Sequence, residues 1–249
     1  MLFNCKNITK NYYNEPVVQG ISLELPAEGF ISLVGPSGVG KTTLFNVLAG
    51  VDKPDSGNVF LGDENITGIT GKVSYMLQKD LLLEYRTVID NVILPLLIHG
   101  EKKKPAREKA AVFFPMFGLE GYEKKYPNEL SGGMRQRAAL LRTFLTSSKM
   151  SGQIILLDEP FSALDAITRR KMQLWYSDIA RQMKASTLFI THDVEEALSL
   201  SDTVYILNGK PGKITHKIDV EPHRPRDSSF TVSREFVEQK RMILEAIGV

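Results

Sequence analysis

Hydrophobic and polar positions alternate with period two near the start of the chain. Ile21, Leu23 and Leu25 are interleaved with Ser22 and Glu24, the pattern of a strand with one buried face. From Gly29 the alternation gives way to the nearly continuous apolar run Phe30-Ile31-Ser32-Leu33-Val34, which predicts a strand covered on both sides. Residues 1–34 therefore read as β. Beyond a Gly-rich turn the period lengthens: Leu44, Val47 and Leu48 share one side of a helix over Lys41–Ala49, and Gly50 is placed to end it. Segments 57–62 and 73–77 predict short strands.

Between 88 and 146 strand alternation disappears and helical spacing takes over, broken by Pro95, Pro105, Pro115 and Pro127. The strand signal returns at Ile154–Leu157, Thr187–Thr191 and Val204–Leu207. Between the first two, Met172, Trp175, Tyr176, Ile179 and Met183 fall on one face of an amphipathic helix. Strands alternating with helices predict a parallel sheet. Residues 208–232, with several Gly and Pro, read as an irregular connection. A last helix from about Ser233 carries Phe236, Ile243 and Ile247 on one face. There is no internal repeat.

Composition narrows the classes. The 249 residues are 43% apolar, enough for a sizeable core, and 31 basic against 29 acidic side chains leave +2. That balance excludes a polycation and an acidic disordered tail. The charge is uneven, with +5 on residues 79–152 and −3 on the remainder, which sets the helical middle apart. Lys102-Lys103-Lys104 reads as a solvated loop or helix start, so no nucleic-acid partner is expected. A lone cysteine, Cys5, excludes an internal disulfide and a cysteine zinc site and makes a reducing cytosol the default compartment. No apolar stretch approaches the roughly 18 residues that span a bilayer, and no basic-then-apolar leader is present. A soluble chain able to dock on a membrane protein is expected.

The chemistry is carried first by Gly35-Pro36-Ser37-Gly38-Val39-Gly40-Lys41-Thr42, which fits G-x-x-x-x-G-K-[ST] between a strand and a helix. Glycines let backbone N–H groups close on phosphate oxygens, and the following helix turns its positive end to the same anion. Lys41 would neutralise the β- and γ-phosphates of a nucleotide, and Thr42 offers a hydroxyl to Mg²⁺, a combination that by itself suits a kinase, a GTPase or a transport ATPase. Asp158 and Glu159 end the Ile154–Leu157 strand. Asp158 suits a cation, and Glu159, expected on the opposite side of the strand, suits a general base for water. The alternative for this acidic pair is helix capping.

Leu130-Ser131-Gly132-Gly133-Met134-Arg135-Gln136-Arg137 resembles the signature motif of ABC transporter ATPases, with a helix following it. Ser131, Gly132 and Gly133 would sit at that helix N-terminus. The resemblance runs over nearly the whole chain and implies a P-loop ATPase α/β core at 1–87 and 153–232 with a mostly parallel sheet. It also implies an N-terminal antiparallel β subdomain, an inserted α-helical subdomain at 88–152 and a C-terminal helix at 233–249, all in one ABC ATPase domain. It further implies that Ser131, Gly132, Gly133 and Asp165 act in trans, on the ATP held by a second copy. Tyr12 matches the aromatic that stacks on adenine, with Tyr13 as the competing candidate. The loop Gly35–Thr43, Thr43 included, holds the phosphates. Gln78 matches the glutamine that touches Mg²⁺ and senses the transmembrane partner, and His192 the switch histidine at the γ-phosphate. Taken alone, Gln78 reads as a surface amide and His192 as a structural histidine.

A finer resemblance, through Pro160–Arg169, Thr191–Leu198 and His223–Asp227, is to the ATPases of nitrate, sulfonate, taurine and bicarbonate importers. Importers of thiamine-precursor pyrimidines share much of it, and an exporter ATPase is a further alternative. The partners implied are a second copy, membrane permease subunits and, through them, an extracytoplasmic solute-binding protein, with the chain peripheral on the inner face of the membrane. One departure is the segment Thr146–Gln153, longer and more polar than the family's usual link.

Overall fold

The computed structural model describes residues 2–146, 153–222, 224, 226 and 229–248. Two sheets organise them. The first joins β1 (Phe3–Tyr12), β2 (Glu15–Leu25), β4 (Ser56–Leu61) and β5 (Glu64–Asn65) in the antiparallel order β2-β1-β4-β5. The second runs β10-β9-β3-β8-β7-β6, formed by β10 (Lys213–Asp219), β9 (Thr203–Asn208), β3 (Phe30–Val34), β8 (Ser186–Thr191), β7 (Ile154–Asp158) and β6 (Ser74–Met76). Its neighbours are parallel except β10 on β9. The burial patterns match the spacing rules: every residue of β3, β7 and β8 is buried, whereas β2 alternates from Ile21 to Leu25.

Eight α-helices accompany the sheets among the described residues: α1 (Lys41–Leu48), α2 (Val88–Val92), α3 (Leu94–Ile98), α4 (Lys103–Ala111), α5 (Gly132–Phe144), α6 (Ala166–Gln182), α7 (Val194–Leu200) and α8 (Arg234–Ile247). Helix α1 fills the space between the two sheets with Leu44, Phe45, Val47 and Leu48. Helices α2 to α5 form a lobe whose apolar side chains run without a break into those of β6, β7, β8 and α6. An aromatic chain carries this contact. Phe117 meets Phe144 at 5.5 Å, Phe144 meets Tyr176 at 6.4 Å, and Tyr176 meets Phe30 of β3 at 5.7 Å. Asp90 staples α2 to α4, accepting from Arg107 Nε and Nη2 at 2.9 Å each, with Lys103 Nζ at 3.0 Å.

The predicted strand and helix positions are found within a residue or two, with one correction. The connection expected to be irregular contains β10, an edge strand that is exposed or half-buried throughout. Its apolar residues are only Ile214 and Ile218, which pack against different clusters across a register shift, so spacing could not reveal it. The long link after Thr146 and most of His223–Asp227 lie outside the described residues.

Candidate active site

The turn from β3 into α1 is built on glycine. A Cβ on Gly35 would collide with the Leu207 carbonyl of β9, and Gly40 sits at φ +105°, where a side chain would also press on Val18. Inside the turn Lys41 folds back, donating from Nζ to the carbonyls of Gly35 at 2.7 Å and Pro36 at 2.8 Å. Val39 is buried beneath it. Across the sheet, Thr42 donates to Asp158 Oδ2 at 3.0 Å. Asp158 is only 5% exposed, and burial pushes its carboxyl up and the Lys41 ammonium down from their ordinary values. The attraction between these groups opposes both shifts, so the cleft holds a desolvated charge set.

Glu159 departs from expectation. The strand ends at Asp158, and Glu159 adopts φ +46°, its N–H bonded to the Ile190 carbonyl at 3.1 Å. The bend turns its carboxylate into the same cleft as Asp158 instead of the opposite side of a continuing strand. There Gln78 Nε2 donates to Glu159 Oε2 at 3.0 Å, and His192 Nδ1 lies 3.2 Å from Oε1. The cleft measures about 320 Å³ and is lined by Ser37, Gly38, Gly40, Lys41, Thr42, Thr43, Gln78, Asp158 and Glu159, with Val17 and Ile190.

Other candidates lie apart from it. Tyr12, at the end of β1, donates its hydroxyl to Asp52 at 2.7 Å, with Thr43 beside it, whereas Tyr13 is wholly exposed in the turn that follows. Ser131 caps α5, accepting from the Met134 N–H at 3.4 Å, and Ser131 and Gly132 are exposed. Asp165 caps α6, accepting from the Thr168 N–H at 3.0 Å, and is exposed as well. None of Ser131, Gly132, Gly133 and Asp165 lines the cleft.

A phosphate-type cleft and a separate serine-glycine helix start on one chain is the arrangement of an ABC cassette, and the comparisons agree. The profile described as ABC transporter matches residues 18–162, more than half of the chain. The chain belongs to the ABC transporter family. This ATPase subunit is 40% identical to the formylaminopyrimidine import ATP-binding protein ThiZ of Halalkalibacterium halodurans, over 93% of this chain and 88% of that one. It is 36% identical to the aliphatic sulfonates import ATP-binding protein SsuB of Bacillus cereus, over 96% and 92%. Among solved structures, the dimeric bacterial ABC transporter cassette MJ0796 superposes with a TM-score of 0.74 at 26% identity, covering 89% of this chain and all of that one. The same cassette is known as a post-hydrolysis dimer with ADP and Pi, at a TM-score of 0.73 and 27% identity.

The ABC ATPase also contains polar groups that spacing alone did not single out. Glu196 of α7 is 6% exposed and accepts from Thr191 Oγ1 and, at 3.0 Å, from Gln173 Nε2 of α6. Burial holds its carboxyl above the usual range. The Asp193 N–H donates to Thr191 Oγ1 at 3.0 Å, so this network fixes the backbone on both sides of His192. Arg169 Nη2 donates to the Leu164 carbonyl at 2.9 Å, just before Asp165. An acid on the buried side of a short helix is the only trace of this in the sequence.

Proposed function

We propose that this ATPase is the ATP-hydrolysing subunit of an ABC importer, working as a homodimer beneath a separate membrane permease. One observation carries the reading: the cleft gathers Lys41, Thr42, Asp158, Glu159 and Gln78, while Ser131–Gly133 stand outside it on an exposed helix start. A second copy facing the first head to tail brings the missing donors over the γ-phosphate. Tyr12 stacks on adenine, and the backbone of Gly35–Thr43 wraps the phosphates.

Hard oxygen donors fit a cation here, since the Thr42 hydroxyl, the Asp158 carboxylate and the Gln78 amide converge. Among the described residues no cluster of three His, Cys, Asp or Glu side chains assembles, which suits an ion arriving with phosphate oxygens of its own. When bound, Mg²⁺ would neutralise charge on the β- and γ-phosphates. Glu159 takes the proton of a water that attacks the γ-phosphorus, the bond to the ADP oxygen breaks, and His192 steadies Glu159 and the phosphoryl oxygens. Several charge-assisted hydrogen bonds from the Ser131 hydroxyl and the Ser131–Gly133 backbone of the facing copy, each worth roughly 1.5–3 kcal/mol, drive closure, and Asp165 of that copy links the two sites. Hydrolysis removes the bridging group and the dimer reopens.

Among the described residues no helix is long and apolar enough to cross a membrane, so attachment to the inner face comes from permease subunits, which in turn meet the solute-binding protein. The named relatives point to a small polar cargo, a sulfonate or a formylaminopyrimidine. No residue of this cleft contacts cargo, so the ligand of a copurifying solute-binding protein identifies it. Size-exclusion chromatography with MgATP tests the shared site. The Glu159→Gln chain is expected to elute as a dimer, and Glu159→Gln with Ser131→Arg as a monomer that still binds ATP. A monomer whose specific activity survives dilution and the loss of Ser131 would overturn the reading.

A further inference from the structure

The loop that follows α1, residues 50–55, turns back over the end of β1. It stays tied to its helix, because the Val51 and Asp52 N–H groups both donate to the Asn46 carbonyl, at 2.9 and 3.1 Å. From there it grips the last residues of β1. The Asp55 N–H donates to the Thr9 carbonyl at 2.8 Å, the Asn11 N–H to Asp55 Oδ2 at 2.6 Å, and Lys10 Nζ to the Lys53 carbonyl at 2.8 Å. Tyr12 is caught in the same grip by its hydroxyl, which donates to Asp52 Oδ2 at 2.7 Å.

Two further groups meet that ring. The Lys10 ammonium lies over it, 5.3 Å from the centroid. The Thr43 hydroxyl of α1 lies beside the Tyr12 oxygen, and Thr43 also lines the phosphate-type cleft. The bond to Asp52 holds the Tyr12 hydroxyl above its ordinary pKa, so it stays protonated and keeps donating. Tyr12 nevertheless remains 39% exposed, whereas Tyr13 stands wholly in solvent. A ring pinned at its edge and backed by a cation has already lost its rotamer freedom. A base that stacks on it does not have to restrain it again.

We propose that Asp52 and Lys10 are positioning residues for the nucleobase. Asp52 pins the Tyr12 ring by its hydroxyl and Lys10 backs one face, so the other face is preorganised for the adenine of a nucleotide whose phosphates occupy the neighbouring cleft. Helix α1 carries the phosphate turn at its start and the Asp52 loop at its end, so one element sets the spacing between the two. This rests on the stacking role given to Tyr12 above and names the residues that make its ring a fixed platform.

Calorimetry on the whole chain with MgADP and with magnesium pyrophosphate separates base from phosphate binding without turnover. Tyr12→Ala is expected to weaken MgADP binding about 10–100-fold and to leave pyrophosphate binding unchanged. Asp52→Ala and Tyr12→Phe are each expected to weaken MgADP about fivefold, and together no more than either alone, because both remove the same bond. Asp52→Asn, whose amide oxygen still accepts, restores the parent affinity, a rescue that a general loss of packing does not give. Lys10→Met is expected to weaken MgADP about threefold. Unchanged MgADP affinity in Tyr12→Phe, additive losses in the double variant, no rescue by Asp52→Asn, or an equal loss of pyrophosphate binding overturns the clamp. Unchanged affinity in Lys10→Met overturns the part given to the lysine. Tyr12→Phe decides the matter if Asp52→Ala fails to fold. Should Tyr12→Ala leave MgADP binding intact, the stacking role itself falls and the clamp with it.

Discussion

The two regions proposed to face phosphate are made of opposite materials. The cleft at the end of β3 and β7 is concave and full of charge: Asp158 is buried, Lys41 is folded onto carbonyls, and Glu159 is held by Gln78 and His192. The Ser131–Gly133 turn is uncharged and largely exposed, and Ser131 accepts from the Met134 N–H at its hydroxyl and from the Arg135 N–H at its carbonyl. In the cleft Asp158 and Lys41 are already buried, so part of its charge is desolvated within one chain. The turn offers backbone donors and a helix dipole in full contact with solvent, where they are worth little until a second surface removes the water. The contrast fits the proposed sharing of each site between two copies, one supplying the cleft and the other the turn.

Breaking the cleft should cost most. Glu159→Gln is expected to keep ATP affinity and to lower turnover by roughly 10²–10⁴-fold, measured as phosphate release against nucleotide binding. Brisk hydrolysis by that variant removes Glu159 as base. Lys41→Ala acts earlier in the cycle. Losing a charge-assisted bond weakens ATP binding to the single chain by about 10–100-fold, read by calorimetry or a fluorescent nucleotide. Unchanged affinity would contradict the assignment of the turn as a phosphate cradle.

The turn should respond differently. Ser131→Ala is expected to leave ATP affinity of the monomer alone and to weaken MgATP-driven dimerisation by about tenfold, seen in sedimentation on the Glu159→Gln background. A fall in monomer affinity would mean that the two regions are one site. The smallest effect concerns the frame of the helical lobe. Burial by itself would raise the Asp90 carboxyl, but Lys103 and Arg107 outweigh it and hold the group below the usual carboxylate range. A depressed pKa contributes stability that is present above the ordinary carboxylate pKa and lost as pH falls through the folded value. Asp90→Asn should therefore cost about 1 kcal/mol at neutral pH and nothing measurable in acid below the folded pKa, followed by urea unfolding across pH.

Local signals carried much of this architecture. Alternation at Ile21–Leu25 and the apolar runs at Phe30–Val34 and Ile154–Leu157 depend only on which faces are covered, and they are found as strands. Ser131 and Ser233 lie at helix starts, since a capping serine acts on amides two or three residues away. Strand β10 was illegible because its two apolar residues, Ile214 and Ile218, are separated by a register shift and pack against different clusters. Glu159 was misjudged because a left-handed residue after the strand cannot be read from a strand periodicity. The grip of Arg135 on Asp80 and Glu84 spans about fifty residues of chain, beyond the reach of any local spacing rule.

By itself the sequence determined the parts: a glycine turn that only glycine can make, a lysine and threonine behind it, two acids at a strand end, and a serine-glycine helix start. Each is governed by contacts within a few residues, so its chemistry is written in order along the chain. Only the tertiary structure decided which parts share a cleft. It bent Glu159 beside Asp158, brought Gln78 and His192 to the same carboxylate from separate strands, and left Ser131–Gly133 on an outer surface. That partition follows from how the sheet and the helical lobe pack, and packing is set by the sum of many distant contacts rather than by any one motif.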